Sequence, residues 1–225
     1  MGRFVVGLDL GQAADYSALV VLHQHTPPPV VQIKQAIRGD DQMRYTRQQP
    51  SMAPQPNRYE CPHLERFALG TPYPEIVRQV MDRLATPALR GADLVVDATG
   101  CGRPVVDLFR AAGCKLHGVM ITAGSIPTSE NGYWYVPKRE LVSTVQVLLQ
   151  SERLKIAREL AEAQTLTKEL LNFQVKITTA ANDVYGAWRE GTHDDLVLGL
   201  AIAAWYAERP LPRPAPPSQS FRTWY

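Results

Sequence analysis

The chain is expected to fold as a mixed α/β sheet with antiparallel strands at its N-terminus and helices flanking it. Three features of the 225-residue sequence point there. Short apolar runs that read as strands come first, and alternating helix-like and strand-like segments follow from Pro74. A closing segment, Asp194 to Glu208, is apolar almost all round, as a deeply buried helix must be. Strands first and helix–strand alternation afterwards suit one sheet covered by helices.

Phe4 to Asp9 alternates apolar residues and ends in Gly-Leu-Asp-Leu-Gly, a strand running into a turn. Ser17–His23 and Val30–Ile37 are two further strands, separated by the break Thr26-Pro27-Pro28-Pro29, so an antiparallel meander is expected. Residues 38–74 are polar and rich in Pro and Arg. They read as an insertion with one strand near Glu65–Ala68. The spacing then predicts a helix over Pro74–Leu84 and a strand at Leu94-Val95-Val96 that stops at Asp97. Pro104 opens a helix that sets Val105, Leu108, Phe109 and Ala112 on one face and stops at Gly113. Leu116–Ile121 is the next strand. An aromatic strand at Tyr133-Trp134-Tyr135 leads into an amphipathic helix over Pro137–Gln150. A short strand at Leu154–Ile156, a helix over Arg158–Asn172 and a β-hairpin over Phe173–Glu190 precede the final helix. The tail beyond Arg209 is proline-rich and reads as flexible.

Composition sets bounds. With 45% hydrophobic and 20% charged residues, the chain is an ordinary globular protein. No apolar run approaches the ~20 residues needed to cross a bilayer, and the start lacks a signal-peptide layout, so no membrane partner is expected. Three cysteines are an odd number in a chain of this size and argue against a disulfide framework. A reducing cytoplasm fits best. A net charge of +2 is too slight for a nucleic-acid module that works by charge alone, yet suits an acidic site partly cancelled by a basic face.

The informative residues are acidic and stand at the ends of apolar elements: Asp9, Asp97 and the Asp194-Asp195 pair. Strand ends and a helix N-terminus can converge on one point of a layered fold, where carboxylates repel one another unless a cation lies between them. Oxygen-only clusters suit Mg²⁺ or Mn²⁺ better than zinc. Two such ions about 3.5–4 Å apart can activate a water and stabilise the leaving oxygen in phosphodiester hydrolysis. Each acid also has a structural role open to it. Asp9 and Asp97 suit turns, and Thr192-His193-Asp194-Asp195 matches a capping box before an apolar helix. Occurrence at three element ends together favours chemistry over turns and caps.

Four stretches in order, GLDLGQAADYSALVVL, VVDATGCGRPVVDLF, VPKRELVSTVQVLLQSERLKI and GTHDDLVLGLAIAAW, resemble the nuclease domain of bacteriophage terminase large subunits. The resemblance runs from Gly7 to Trp205 and is weakest over 38–74. It implies a ribonuclease H-like fold over residues 1–208, with the tail 209–225 outside it. It further implies two divalent metals, Mg²⁺ or Mn²⁺, and cutting of concatemeric double-stranded DNA during packaging in the host cytoplasm. By position, Asp9, Asp97, Asp194 and Asp195 would be the catalytic metal ligands, either of the last two being the direct one. Asp15 matches a recurring family acid that supports a ligand or a water. The hairpin 173–190 resembles the family's auxiliary hairpin. Expected partners are a terminase ATPase domain or subunit, a small terminase and a portal. One departure stands out: no GxxxxGK[ST] phosphate loop occurs in the sequence, so a motor must come from elsewhere.

Among the basic residues, Lys138 and Arg139 are the favoured DNA contacts, because they open a helix directly after the aromatic strand. Arg153, Lys155, Arg158, Lys168, Lys176 and Arg189 read as scattered solvated charge. His193, beside the aspartate pair, could bind metal or polarise a water, or simply lead into the helix. Two rival readings stay open: another ribonuclease H-like nuclease such as a Holliday-junction resolvase, and a sugar-kinase or actin-like ATPase suggested by GLDLG. A non-catalytic adaptor using the Pro-rich tail leaves the aspartates without a role.

Overall fold

A computed structural model describes residues 2–11, 15–38, 45–100, 102–172 and 194–209. The expected hairpin 173–190, His193 and most of the proline-rich tail lie outside the described residues.

Eight strands form the main sheet. They are β1 (Arg3–Asp9), β2 (Ala18–His25), β5 (Arg58–Arg66), β6 (Asp93–Asp97), β7 (Leu116–Thr122), β8 (Thr128–Glu130), β9 (Tyr133–Pro137) and β10 (Leu154–Ile156). Their spatial order is β10-β5-β2-β1-β6-β7-β9-β8. β1, β2 and β5 pair antiparallel, whereas β1, β6, β7 and β9 run parallel. The expected mixed sheet with antiparallel N-terminal strands is therefore the observed one. β3 (Val30–Arg38) and β4 (Tyr45–Ala53) pair with each other as a separate hairpin.

That pairing corrects two expectations. The third strand does not extend a meander with β1 and β2, and residues 38–74 are not irregular. They contain β4 and the whole of β5, an interior strand of the main sheet. Alternation in β5 is broken, since its buried residues Tyr59, Cys61 and Leu64 are spaced two and then three apart. The cause is a bulge. Val21 opposes His63 and His23 opposes Glu60, so Cys61 and Pro62 together face the single residue Leu22. A bulge is also where an interior strand tolerates proline.

The helices are α1 (Tyr73–Leu84), α2 (Gly102–Ala111), α3 (Lys138–Gln150), α4 (Ala163–Asn172) and α5 (Asp195–Ala207). α4 is shorter than the expected Arg158–Asn172 helix. Strand alternation divides the core. Val6, Leu8, Leu19, Val21, Leu94 and Val96 face α1 and α2. Val5, Ala18, Val20, Leu22 and Val95 face the layer of α3, α4 and α5. α5 lies against β1 and β2 and is covered on its other side by α3 and α4, which explains its apolar sequence. Gly7 and Gly199 make that approach possible: a Cβ on Gly7 would lie 2.0 Å from the Gly199 carbonyl oxygen. Among the described residues, no helix is long and apolar enough to cross a membrane.

Candidate functional site

Asp9 is the last residue of β1 and Asp97 the last of β6. The two strands are adjacent and parallel, with Leu8 beside Val96, so both carboxylates emerge at one edge of the sheet. Parity then sets their face. Asp9 follows Gly7 by two residues and Asp97 follows Val95 by two, and both of those residues face α5. Asp195 is the first residue of α5. The close contact of Gly7 with Gly199 brings that helix start down over the same strand ends.

The result is a set of buried acids. Among the described residues the buried carboxylates are Asp9, Asp97, Glu169 and Asp195, between 4% and 8% exposed, and all four belong to this region. The Asp9 and Asp97 carboxyls are close enough for a side-chain hydrogen bond, which helps to raise the Asp9 carboxyl. Burial pushes the Asp9 carboxyl well above the usual range, and the charges of Asp97, Asp195 and Asp194 push it further. Asp97 is oriented by the turn after β6: its Oδ1 accepts the Thr99 N–H at 2.8 Å, and the Thr99 hydroxyl oxygen accepts the Ile121 N–H at 2.9 Å. The turn role and the site role thus belong to the same residue.

Asp194 occupies the N-cap position of α5, yet its side chain makes no capping hydrogen bond. It is instead 3.5 Å from the Lys138 ammonium. Burial raises its carboxyl and the Lys138 charge opposes that rise. Lys138 opens α3 straight after β9, whose C-terminal end lies on the same sheet edge as Asp9 and Asp97. This basic residue therefore sits within the acidic constellation. Arg139 points elsewhere; it is exposed and donates to the Ser125 carbonyl at 2.7 Å. Asp15 is exposed, and its charge adds to the rise at Asp194.

Two side chains of this region escaped the sequence reading, Glu169 and Arg66. Glu169 Oε2 accepts the Val197 N–H at 3.0 Å, and the same carboxylate takes a hydrogen bond from the Leu196 N–H. An acid from α4 therefore satisfies the first turn of α5 in place of a local cap. Its other oxygen is ion-paired with Arg66, which closes β5 and also lies 3.6 Å from Asp195. Burial lifts the Glu169 carboxyl to about 7 against the opposing pull of Val197 and Arg66. Arg66 is held from its other side by the Tyr16 ring, 4.9 Å away. A sequence signal for Glu169 existed: it sits among Leu166 and Leu170 on the buried face of an amphipathic helix.

The donor set is all oxygen and several carboxylates are held against their own repulsion, so these residues fit hard divalent cations.

The crystal structure of the large terminase nuclease from thermophilic phage G20c superimposes on this chain with a TM-score of 0.55 at 20% identity, covering 90% of this chain and 81% of that one. The fold is that of the large terminase nuclease. A second crystal structure of the same nuclease, with bound zinc, matches over 90% of this chain and 80% of that one at a TM-score of 0.53 and 20% identity. No family model and no curated protein matches the sequence. The expected ribonuclease H-like sheet is thus present, flanked by helices on both faces.

Proposed function

We propose that this chain is a divalent-metal-dependent endonuclease that hydrolyses phosphodiester bonds of double-stranded DNA, and that it acts in the packaging of concatemeric phage genomes. The observation that carries this reading is the burial of Asp9, Asp97 and Asp195 at one sheet edge, with Asp9 forced well above the usual carboxylate range. A water-excluded cluster of acids that must take up protons or a cation is costly for a purely structural region. The likeness to the G20c nuclease supports the same reading from the fold.

In this proposal Asp9, Asp97 and Asp195 hold two Mg²⁺ or Mn²⁺ ions, with Asp194 as a further ligand. The bound cations supply an activated water and charge neutralisation at the phosphate. Glu169 and Arg66 fix the start of α5 and with it the direction of Asp195. Lys138 places a positive charge beside the acids, where a DNA phosphate would meet it, and Arg139 offers another from the surface. Asp15 supports the ligands from the exposed side. Positioning on DNA falls to a packaging ATPase domain or subunit, a small terminase and the portal, in the host cytoplasm.

Purified protein should convert supercoiled plasmid to nicked and linear forms with Mg²⁺ or Mn²⁺ and leave it intact with EDTA. Cutting undiminished by EDTA would overturn the metal mechanism. Nucleotide hydrolysis without DNA cutting would favour the ATPase reading of GLDLG.

A further inference from the structure

A cluster of side chains with metal-ligating chemistry lies far from the carboxylates. His23 and His25 are two residues apart on β2, so they share one face of that strand, and Glu60 stands opposite His23 on β5. One ligand atom from each of the three lies within 4.8 Å of the others. The His25 Nε2 and Glu60 Oε2 are already 3.2 Å apart, and the two imidazoles are 4.0 Å apart between ring centres. His23 is held in place by stacking on Phe4 at 4.2 Å. The β5 bulge adjoins the His23–Glu60 pair and sets the register that brings Glu60 opposite the histidines.

We propose that His23, His25 and Glu60 form a site for a borderline divalent transition-metal ion of the zinc class, bridging β2 and β5. The donor chemistry selects the ion: two imidazole nitrogens and one carboxylate suit Zn²⁺ or Co²⁺ and poorly suit Mg²⁺. Ligands about 2.0–2.1 Å from a tetrahedral zinc are themselves roughly 3.3–3.4 Å apart. The His25–Glu60 pair already meets that spacing, and both side chains are exposed, at 40% and 60%, so the remaining closure needs only side-chain rotation. Exposure also leaves room for water to complete the coordination.

This site is separate from the carboxylate cluster. His23 pairs with Phe4, five positions before Asp9 on β1, a separation of roughly 17 Å along the strand. It also belongs to the sheet face opposite α5, since His23 and His25 continue the row of Leu19 and Val21. The inference is independent of the nuclease proposal.

The test is a Co²⁺ titration of the full chain in excess Mg²⁺, which fills all-oxygen sites and competes poorly for imidazole. One equivalent of Co²⁺ should bind with the intense visible absorption of low-coordinate, nitrogen-ligated cobalt, and Zn²⁺ should displace it. His25→Ala should lose that band and weaken binding at least tenfold, and Glu60→Gln should weaken it to a lesser degree. Zn²⁺ should raise the melting temperature of the parent protein and not of His25→Ala. Absence of the band in the parent protein, or equal Co²⁺ affinity in all three, would overturn the site and leave the cluster as surface packing. Should His25→Ala not fold, the highly exposed Glu60→Gln still decides the matter.

Discussion

The contrast between Asp194 and Asp195 shows how one bond along a helix start separates two jobs. Asp195 is buried against Arg66, whereas Asp194 is half-buried and engaged by Lys138. Successive helical residues differ by about 100° in direction, so the pair cannot address one metal equally, and in the proposed function the direct ligand is the more buried Asp195. Glu169 accepts hydrogen bonds from the first-turn amides of α5 at Leu196 and Val197. Glu169→Ala should leave buried N–H donors without their acceptor and take from Arg66 its nearer carboxylate, at about 3–5 kcal/mol of stability, read by urea unfolding. Glu169→Gln keeps an acceptor and should cost less. A loss under about 0.5 kcal/mol for the alanine variant would remove Glu169 from this role. The aspartates were legible in the sequence because each ends or begins an apolar element. Glu169 could have been noticed among the apolar residues of α4, but its partnership with Arg66 could not, because it spans 103 positions of chain and depends on where α4 and β5 pack.

At the level of elements, the geometry of the site rests on how closely α5 approaches β1. Gly7→Ala would drive a methyl to 2.0 Å from the Gly199 carbonyl oxygen. The helix must then shift away, and Asp195 shifts with it relative to Asp9. We expect about 1–3 kcal/mol of destabilisation from overpacking together with a fall in cleavage larger than stability alone explains, measured at a temperature where the variant is fully folded. Unchanged specific activity in folded Gly7→Ala would show that the helix spacing does not set the site. The helices and parallel strands from α1 onward were readable because their periodicity is undisturbed. β5 was hidden because the extra residue opposite Leu22 breaks the two-residue alternation that identifies a strand, and Pro62 within it argued against one. The hairpin of β3 and β4 was half seen: β3 has strand-like composition, but nothing local says that it leaves the main sheet.

For the whole molecule, the proposed function links stability, pH and metal through the buried acids. Asp9 and Asp194 are raised by burial, and Glu169 is raised to about 7. A raised carboxyl contributes stability that is fully present below its ordinary value near 4 and is lost as pH climbs through its raised value. In EDTA the melting temperature should therefore fall between about pH 5 and 8. Saturating Mn²⁺ should abolish most of that fall, because it occupies the site in place of protons. Asp93 carries the opposite sign: hydrogen bonding from His117 and the Arg3 charge hold its carboxyl low, so its contribution is lost on acidification. A metal-free melting temperature that rises steadily across pH 5 to 8 would contradict the linkage.

The central claim, that the buried acids are a metal-dependent nuclease centre and not a capped helix start, is tested most directly by Asp195→Asn. Plasmid cleavage and thermal melts of this variant and the parent protein, each with and without Mn²⁺, should show cleavage abolished and metal-free stability unchanged or higher, because one of several crowded charges is gone. The stabilisation by Mn²⁺ should shrink at the same time. Retained cleavage with a loss of ~0.5–1 kcal/mol of stability would mean that Asp195 serves the helix terminus alone.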